Sequence, residues 1–347
     1  MKMPKPAALA IFLALTFSLS SCSTPSEPAT VDNKNAAVTE KRTEVTEVEP
    51  YQLNSWSRSI NRESVRQTAF AQAEAFFDSR EAPAPFTVEA YFGPNLPETT
   101  ATCAVEYVET VFNKISHHGA VAEEYSSILL IAETANNQDW IVETARSIES
   151  DWVSQSGENW SVEFPDWLDM ARSPSSFTSG YGEHNVVVLI PNTADASSCE
   201  KIERLVYHEA FHSLTARIDG KSLVGFAQED MQHMGRWFRE GAADFFAQAI
   251  IATERGSEYV GVSTLIEPGE MVKMSSMENG YRVYIVGHFV VEYIVANVGV
   301  EPIFEIHQAI GEGKSFEDAL EEGIGIPVEE FYDIVENMEI DMRSTTF

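Results

Sequence analysis

Apolar positions fall three and four apart along much of this chain, the spacing of one face of an α-helix. Ile60, Val65, Ala69, Phe70, Ala73 and Phe76 mark such a face within residues 55–77. Similar spacing predicts helices over residues 104–115, 121–135 and 140–152, and Pro83, Pro85, Pro94 and Pro97 keep the first two predicted helices apart. The pattern changes at residues 185–190, a continuous run of Asn-Val-Val-Val-Leu-Ile closed by Pro191 and Asn192. A short β-branched run of this kind predicts a buried strand. Helical spacing then returns. Leu205, Val206, Phe211 and Leu214 line a helix over residues 199–216, and Ser197 with Glu200 three positions on forms a capping-box pattern at its start. Residues 234–254 repeat the spacing with Trp237, Phe238, Ala242, Phe245, Phe246 and Ala249, with Gly235 and Gly241 as the weak points. Residues 281–293, 301–310, 315–322 and 327–338 predict further helices, and Ser315 with Asp318 gives the third of these a cap.

These elements predict a helix-rich α+β fold with a small sheet. A mostly helical region spans residues 51–180, and a C-terminal domain spans 181–347. Its cleft is expected between the helices at 199–216 and 234–254 and the edge of the strand. A hydrophobic content of 44% with 20 Phe in 347 residues is ample for a buried core.

The first fifty residues read differently. Residues 1–21 carry Lys2 and Lys5, an apolar stretch from Ala7 to Phe17, and then small residues, as an export signal does. That stretch is too short to span a bilayer comfortably. Leu19-Ser20-Ser21-Cys22 resembles a bacterial lipobox, which implies cleavage before Cys22 and lipid attachment to it. Ser23 at the next position implies, by resemblance to lipoprotein sorting, delivery to the outer membrane. The expected location is the bacterial cell envelope, with the membrane touched through the N-terminal lipid anchor only. Residues 22–50 are rich in Thr, Glu, Ser, Pro and Val and poor in large apolar side chains. They predict a disordered tether reaching on the order of 30 Å.

Charge narrows the partners. Asp and Glu number 54 against 23 Lys and Arg, a formal net charge of −31. Such a surface repels phosphate backbones and excludes nucleic acid as a partner class. Export also bears on the thiols. Besides Cys22 the chain has Cys103 and Cys199, and an oxidising compartment predicts a disulfide between them.

The candidate chemistry lies in His208-Glu209-Ala210-Phe211-His212 and in Glu240 and Asp244 of Arg239-Glu240-Gly241-Ala242-Ala243-Asp244. Helical residues four apart share a face, so both imidazoles can point at one metal ion. Glu209 beside the first histidine could take a proton from a water there. Glu240 could supply the third ligand of a catalytic zinc, leaving one position open. Asp244, four residues on, could accept a hydrogen bond from the free ring nitrogen of a ligating histidine.

His-Glu-x-x-His followed about 30 residues later by Glu-x-x-x-Asp resembles the gluzincins, the thermolysin-like zinc peptidases. Trp237-Phe238-Arg239-Glu240-Gly241-Ala242-Ala243-Asp244 is similar to the Trp-x-x-Glu-Gly-x-Ala segment of the peptidase MA-like group. The likeness covers residues 186–341. It implies a gluzincin-like zinc-peptidase domain holding one Zn²⁺ by His208, His212 and Glu240, with Glu209 as general base and a peptide or protein as substrate. The metzincin pattern fails, because Thr215 and Ile218 stand where it requires Gly and His. Residues 281–293 resemble the gluzincin helix that carries a Tyr or His opposite the zinc. Tyr281, Tyr284 and His288 share a face there, and any of them could donate a hydrogen bond to an oxyanion. Two other classes fit the same motif: a non-catalytic zinc-binding envelope scaffold, and a zinc amidase acting on a cell-wall amide.

Overall fold

The computed structural model describes residues 56–78, 86–115, 127–137, short pieces between 139 and 148, 177–181, 184–189, 191, 195–218, 235–261 and 282–341. All of them belong to one unit. The export signal, Cys22, the tether and Tyr281 lie outside the described residues.

The chain enters as β1 (Ser59–Asn61), which pairs in parallel with the last strand, β6 (Glu339–Asp341). That ladder occupies the backbone of residues 59–61, so the helix α1 begins only at Arg62 (Arg62–Phe77). Asn61 caps it, its side chain accepting from the Ser64 amide at 2.9 Å and satisfying one of the free first-turn donors. Ile60, Val65, Ala69, Ala73 and Phe76 are buried, as their spacing predicts.

A four-stranded sheet follows, ordered β2 (Val88–Phe92), β3 (Ser127–Ala132), β5 (His184–Leu189) and β4 (Phe177–Tyr181). The first three are parallel neighbours, and β4 pairs antiparallel with β5 at the edge. β5 matches the expected strand. β3 corrects the expected helix over 121–135. It lies between two parallel partners with Ile128, Leu129, Leu130 and Ile131 all buried. A strand covered on both faces reads as a continuous apolar run, without the alternation that separates strand from helix. Among the described residues up to 181, β2, β3 and β4 stand alongside the helices α1 and α2 (Glu98–Ile115). The expected helix at 140–152 is described only in helical pieces at 139–141, 143–144 and 147–148.

Past the sheet, the 3-10 turn Asp195–Ser197 leads into α3 (Cys199–Ile218), then α4 (Arg236–Arg255), α5 (Arg282–Val298), α6 (Glu301–Gly311), α7 (Phe316–Ile324) and α8 (Val328–Glu336). Ser315 caps α7 by accepting from the Asp318 amide at 3.1 Å. Gly235, just before α4, has φ +63°, the left-handed region that favours glycine. A Cβ there would also meet the Phe316 ring. Phe211 of α3 stacks on Phe246 of α4 with centroids 4.6 Å apart, and Phe304 of α6 packs on Phe246 at 5.5 Å. These rings brace α3 against α4, the two helices on which the candidate site is built.

A disulfide joins Cys103 of α2 to Cys199 at the first turn of α3, with Cα atoms 5.7 Å apart. The start of the histidine-bearing helix is thereby pinned to the neighbouring helix. Among the described residues no single helix is long and apolar enough to cross a membrane.

Candidate metal centre

His208, Glu209 and His212 sit on consecutive turns of α3 and are all buried. Glu240 and Asp244 sit one turn apart on α4. The crossing of the two helices brings three potential ligand atoms to one point. His208 Nε2 and His212 Nε2 are 3.0 Å apart, and Glu240 Oε2 lies 3.3 Å from the first and 3.4 Å from the second. The ligand atoms of this trio all lie within 4.8 Å of one another, so the group could hold a metal ion.

The other side of the His208 ring is also fixed. His208 Nδ1 meets Asp244 Oδ1 at 3.0 Å. A carboxylate there makes Nδ1 the donor, so that in the neutral imidazole a metal requires it is the Nε2 lone pair that faces the trio. His212 differs, since its buried Nδ1 meets no hydrogen-bond partner among the described residues.

The charges of these groups are strongly coupled. Burial works against the His208 cation, but hydrogen bonds to Asp244 and Glu240 outweigh it and push its pKa up to about 10. Burial and the charge of His208 move His212 down. Two nitrogens facing each other at 3.0 Å share one proton more easily than they hold two. Burial opposes ionisation of Glu240, yet hydrogen bonds from His208 and His212 hold its carboxyl well below the usual range. Asp244 is likewise lowered, the bond to His208 and the charge of Arg204 overcoming its burial. The donor set thus draws positive charge into a buried pocket of two imidazoles and a carboxylate. That chemistry fits a divalent cation of intermediate hardness.

Glu209 plays no part in the trio. Burial, opposed by the charge of His208 and reinforced by Glu240 and Asp244, raises its carboxyl to about 8. Tyr284 of α5 lies against the site, its ring centroid 6.0 Å from that of His208. Burial and the charge of Glu240 raise its phenol, so the hydroxyl stays protonated near neutrality. His288, one turn further along α5, does not join the site. Its Nε2 is 2.8 Å from the Tyr259 hydroxyl and 3.2 Å from Glu292 Oε1, in a fully buried cluster.

Two arginines at the site carry no signal in the linear pattern. Arg236 at the start of α4 places Nε 3.9 Å from Glu240 Oε1, and its charge works against the raising of the Tyr284 phenol. Arg204 of α3 reaches Asp244. Charged residues at these positions read as solvated helix faces until the neighbouring helix is in place.

Comparison of the chain with protein-family models, curated proteins and solved structures finds no match.

Proposed function

We propose that the protein is a zinc-dependent peptidase. The observation that carries this reading is the convergence of His208 Nε2, His212 Nε2 and Glu240 Oε2 on one point, with Glu209 buried next to His208 in the same helix. Two imidazoles and one carboxylate are the ligand set of a catalytic zinc site, and a purely structural zinc site has no use for a neighbouring general base. When bound, zinc would polarise the scissile carbonyl and acidify the attacking water.

The chain's own groups supply the rest. Glu209, ionised once the charge of a bound cation stands beside it, would accept the proton of the attacking water and return it to the leaving amine nitrogen. The Tyr284 hydroxyl, kept protonated, donates a hydrogen bond to the oxyanion of the tetrahedral intermediate. Asp244 holds His208 in the tautomer that presents Nε2. Among the described residues β4 is one of the two edge strands of its sheet and packs against α3, so an extended peptide can add alongside it through backbone hydrogen bonds. In this reading Cys22 bears the lipid anchor and the enzyme works at the bacterial cell envelope, held at the outer membrane.

The test is mass spectrometry of a diverse peptide mixture incubated with the zinc-loaded protein and with its Glu209→Gln variant. Cleavage by wild type alone, with zinc retained in both, is the expected result. Equal cleavage by the variant would remove Glu209 from its role. Cleavage by neither would overturn the peptidase reading in favour of a scaffold or of a zinc amidase acting on cell-wall material.

A further inference from the structure

Arg204 and His208 are four residues apart on α3 and therefore share a face. Both grip the same carboxylate on the opposite helix. Arg204 Nη2 lies 3.0 Å from Asp244 Oδ1 and 3.0 Å from Oδ2, while His208 Nδ1 takes Oδ1 at 3.0 Å. The Asp244 side chain is 3% exposed and that of Arg204 is 52% exposed. The guanidinium thus covers the solvent side of a carboxylate whose inner side orients the histidine.

Resting on the metal-site reading above, we propose that Arg204 is a positioning residue for zinc, acting through Asp244 on the His208 ring. A carboxylate held by one partner can swing about its side-chain torsions. With Arg204 Nη2 standing between its two oxygens, Asp244 presents Oδ1 in one place. The His208 Nδ1–H then has one direction in which to donate, and its Nε2 lone pair is fixed on the point shared with His212 and Glu240. His212 has no such support among the described residues, its buried Nδ1 meeting no hydrogen-bond partner. The precision of the imidazole pair therefore depends on the Arg204–Asp244–His208 series. The sequence makes the series possible only because positions 204, 208, 212 on one helix and 240, 244 on the other keep a four-residue step.

The competing account is a surface ion pair. Half-exposed pairs contribute little to stability, and a plain surface pair would leave zinc affinity untouched. The two accounts separate on affinity. Removing a group that orients a metal-ligating histidine costs about 10- to 100-fold in metal affinity.

The experiment measures the zinc dissociation constant of the full chain by competition with a chelating dye, for wild type, Arg204→Met, Arg204→Lys, Asp244→Asn and the double variant Arg204→Met/Asp244→Asn. Unfolding midpoints of the zinc-stripped proteins are recorded alongside. Arg204→Met is expected to weaken zinc about tenfold with an unfolding midpoint close to wild type. Arg204→Lys keeps a cation that can stand between the same two oxygens from a more flexible stem and should recover part of the loss. The double variant should bind no more weakly than Asp244→Asn alone, because Arg204 acts through that carboxylate. Wild-type affinity in Arg204→Met overturns the proposal, and so do additive losses in the double variant. Absence of zinc binding by wild type removes the metal site and the proposal with it. Failure to cleave peptides, with these affinities as expected, removes the peptidase reading and leaves the proposal standing.

Discussion

Gly241 of α4 and Gly287 of α5 meet backbone to backbone. A Cβ built on Gly241 would fall 2.2 Å from the Gly287 carbonyl carbon, and one on Gly287 would fall 2.2 Å from the Trp237 carbonyl oxygen. No flexible side chain can yield there, so an added methyl group must push the helices apart. Each glycine borders the site: Glu240 precedes Gly241, and Tyr284 lies one turn before Gly287. Gly241→Ala is therefore expected to lose roughly 1–3 kcal/mol to overpacking, more than the helix propensity it gains. Zinc affinity should fall with it, because Glu240 moves with its helix. Urea unfolding and zinc titration of the variant check both, and unchanged values in the two would show that the crossing tolerates the methyl group.

Tyr284→Phe keeps the ring against His208 and deletes only the hydroxyl. An oxyanion donor acts in the transition state, so its loss should lower kcat by about 10²- to 10³-fold. KM and zinc content should change little. Steady-state kinetics on a cleaved peptide with metal analysis of the same preparation make the test. An unchanged kcat would take the role from Tyr284 and pass it to Tyr281.

The helix faces that build the site are legible in the sequence because they rest on a four-residue step, which fixes neighbours within one helix. His208 with His212, and Glu240 with Asp244, can be paired on that ground, and the structure brings all four together. What the step does not specify is how two helices cross. Arg204, Arg236 and the placement of His288 depend on the crossing, and the crossing depends on Gly241, which reads only as a weak point in a helix, and on Gly287, which the linear pattern does not single out. β3 fails for another reason. Ile128 to Ile131 are covered on both faces, and a fully buried strand has lost the alternation by which a strand is recognised. β1 is hidden because its partner, β6, comes from the far end of the chain.

The Cys103–Cys199 bridge closes a loop of 96 residues in sequence separation. For a loop of that length the chain-entropy account gives a stabilisation of up to about 4–5 kcal/mol. Replacing both cysteines by Ser should lower the denaturant midpoint markedly under non-reducing conditions. Under strong reductant, wild type and variant should converge. Thiol labelling of the unfolded wild-type protein, with no reactive cysteine at either position before reduction, checks the premise.

Arg62 of α1 and Glu292 of α5 form a buried ion pair, with the Arg62 guanidinium over the Phe289 ring, 4.6 Å from its centroid. Tyr259 donates its hydroxyl to Glu292 at 2.6 Å, and His288 stands at 3.2 Å. Burial alone would raise this carboxyl. The charges of Arg62 and His288, with the hydrogen bonds of His288 and Tyr259, win and bring it from 4.5 down to about 2. A carboxyl lowered on folding stabilises the protein fully above its unfolded pKa, and that contribution is lost as pH falls through the folded one. The window is therefore pH 4.5 down to 2, and the difference corresponds to roughly 3 kcal/mol. Glu292→Gln should be less stable than wild type at neutral pH, because it leaves the Arg62 charge buried without its partner. The gap between the two should narrow as the pH is taken from 4.5 to 2. Urea unfolding of both proteins at several pH values across that window measures it. A gap that stays constant would mean that Glu292 is not ionised in the folded protein and that the cluster is held by hydrogen bonds alone.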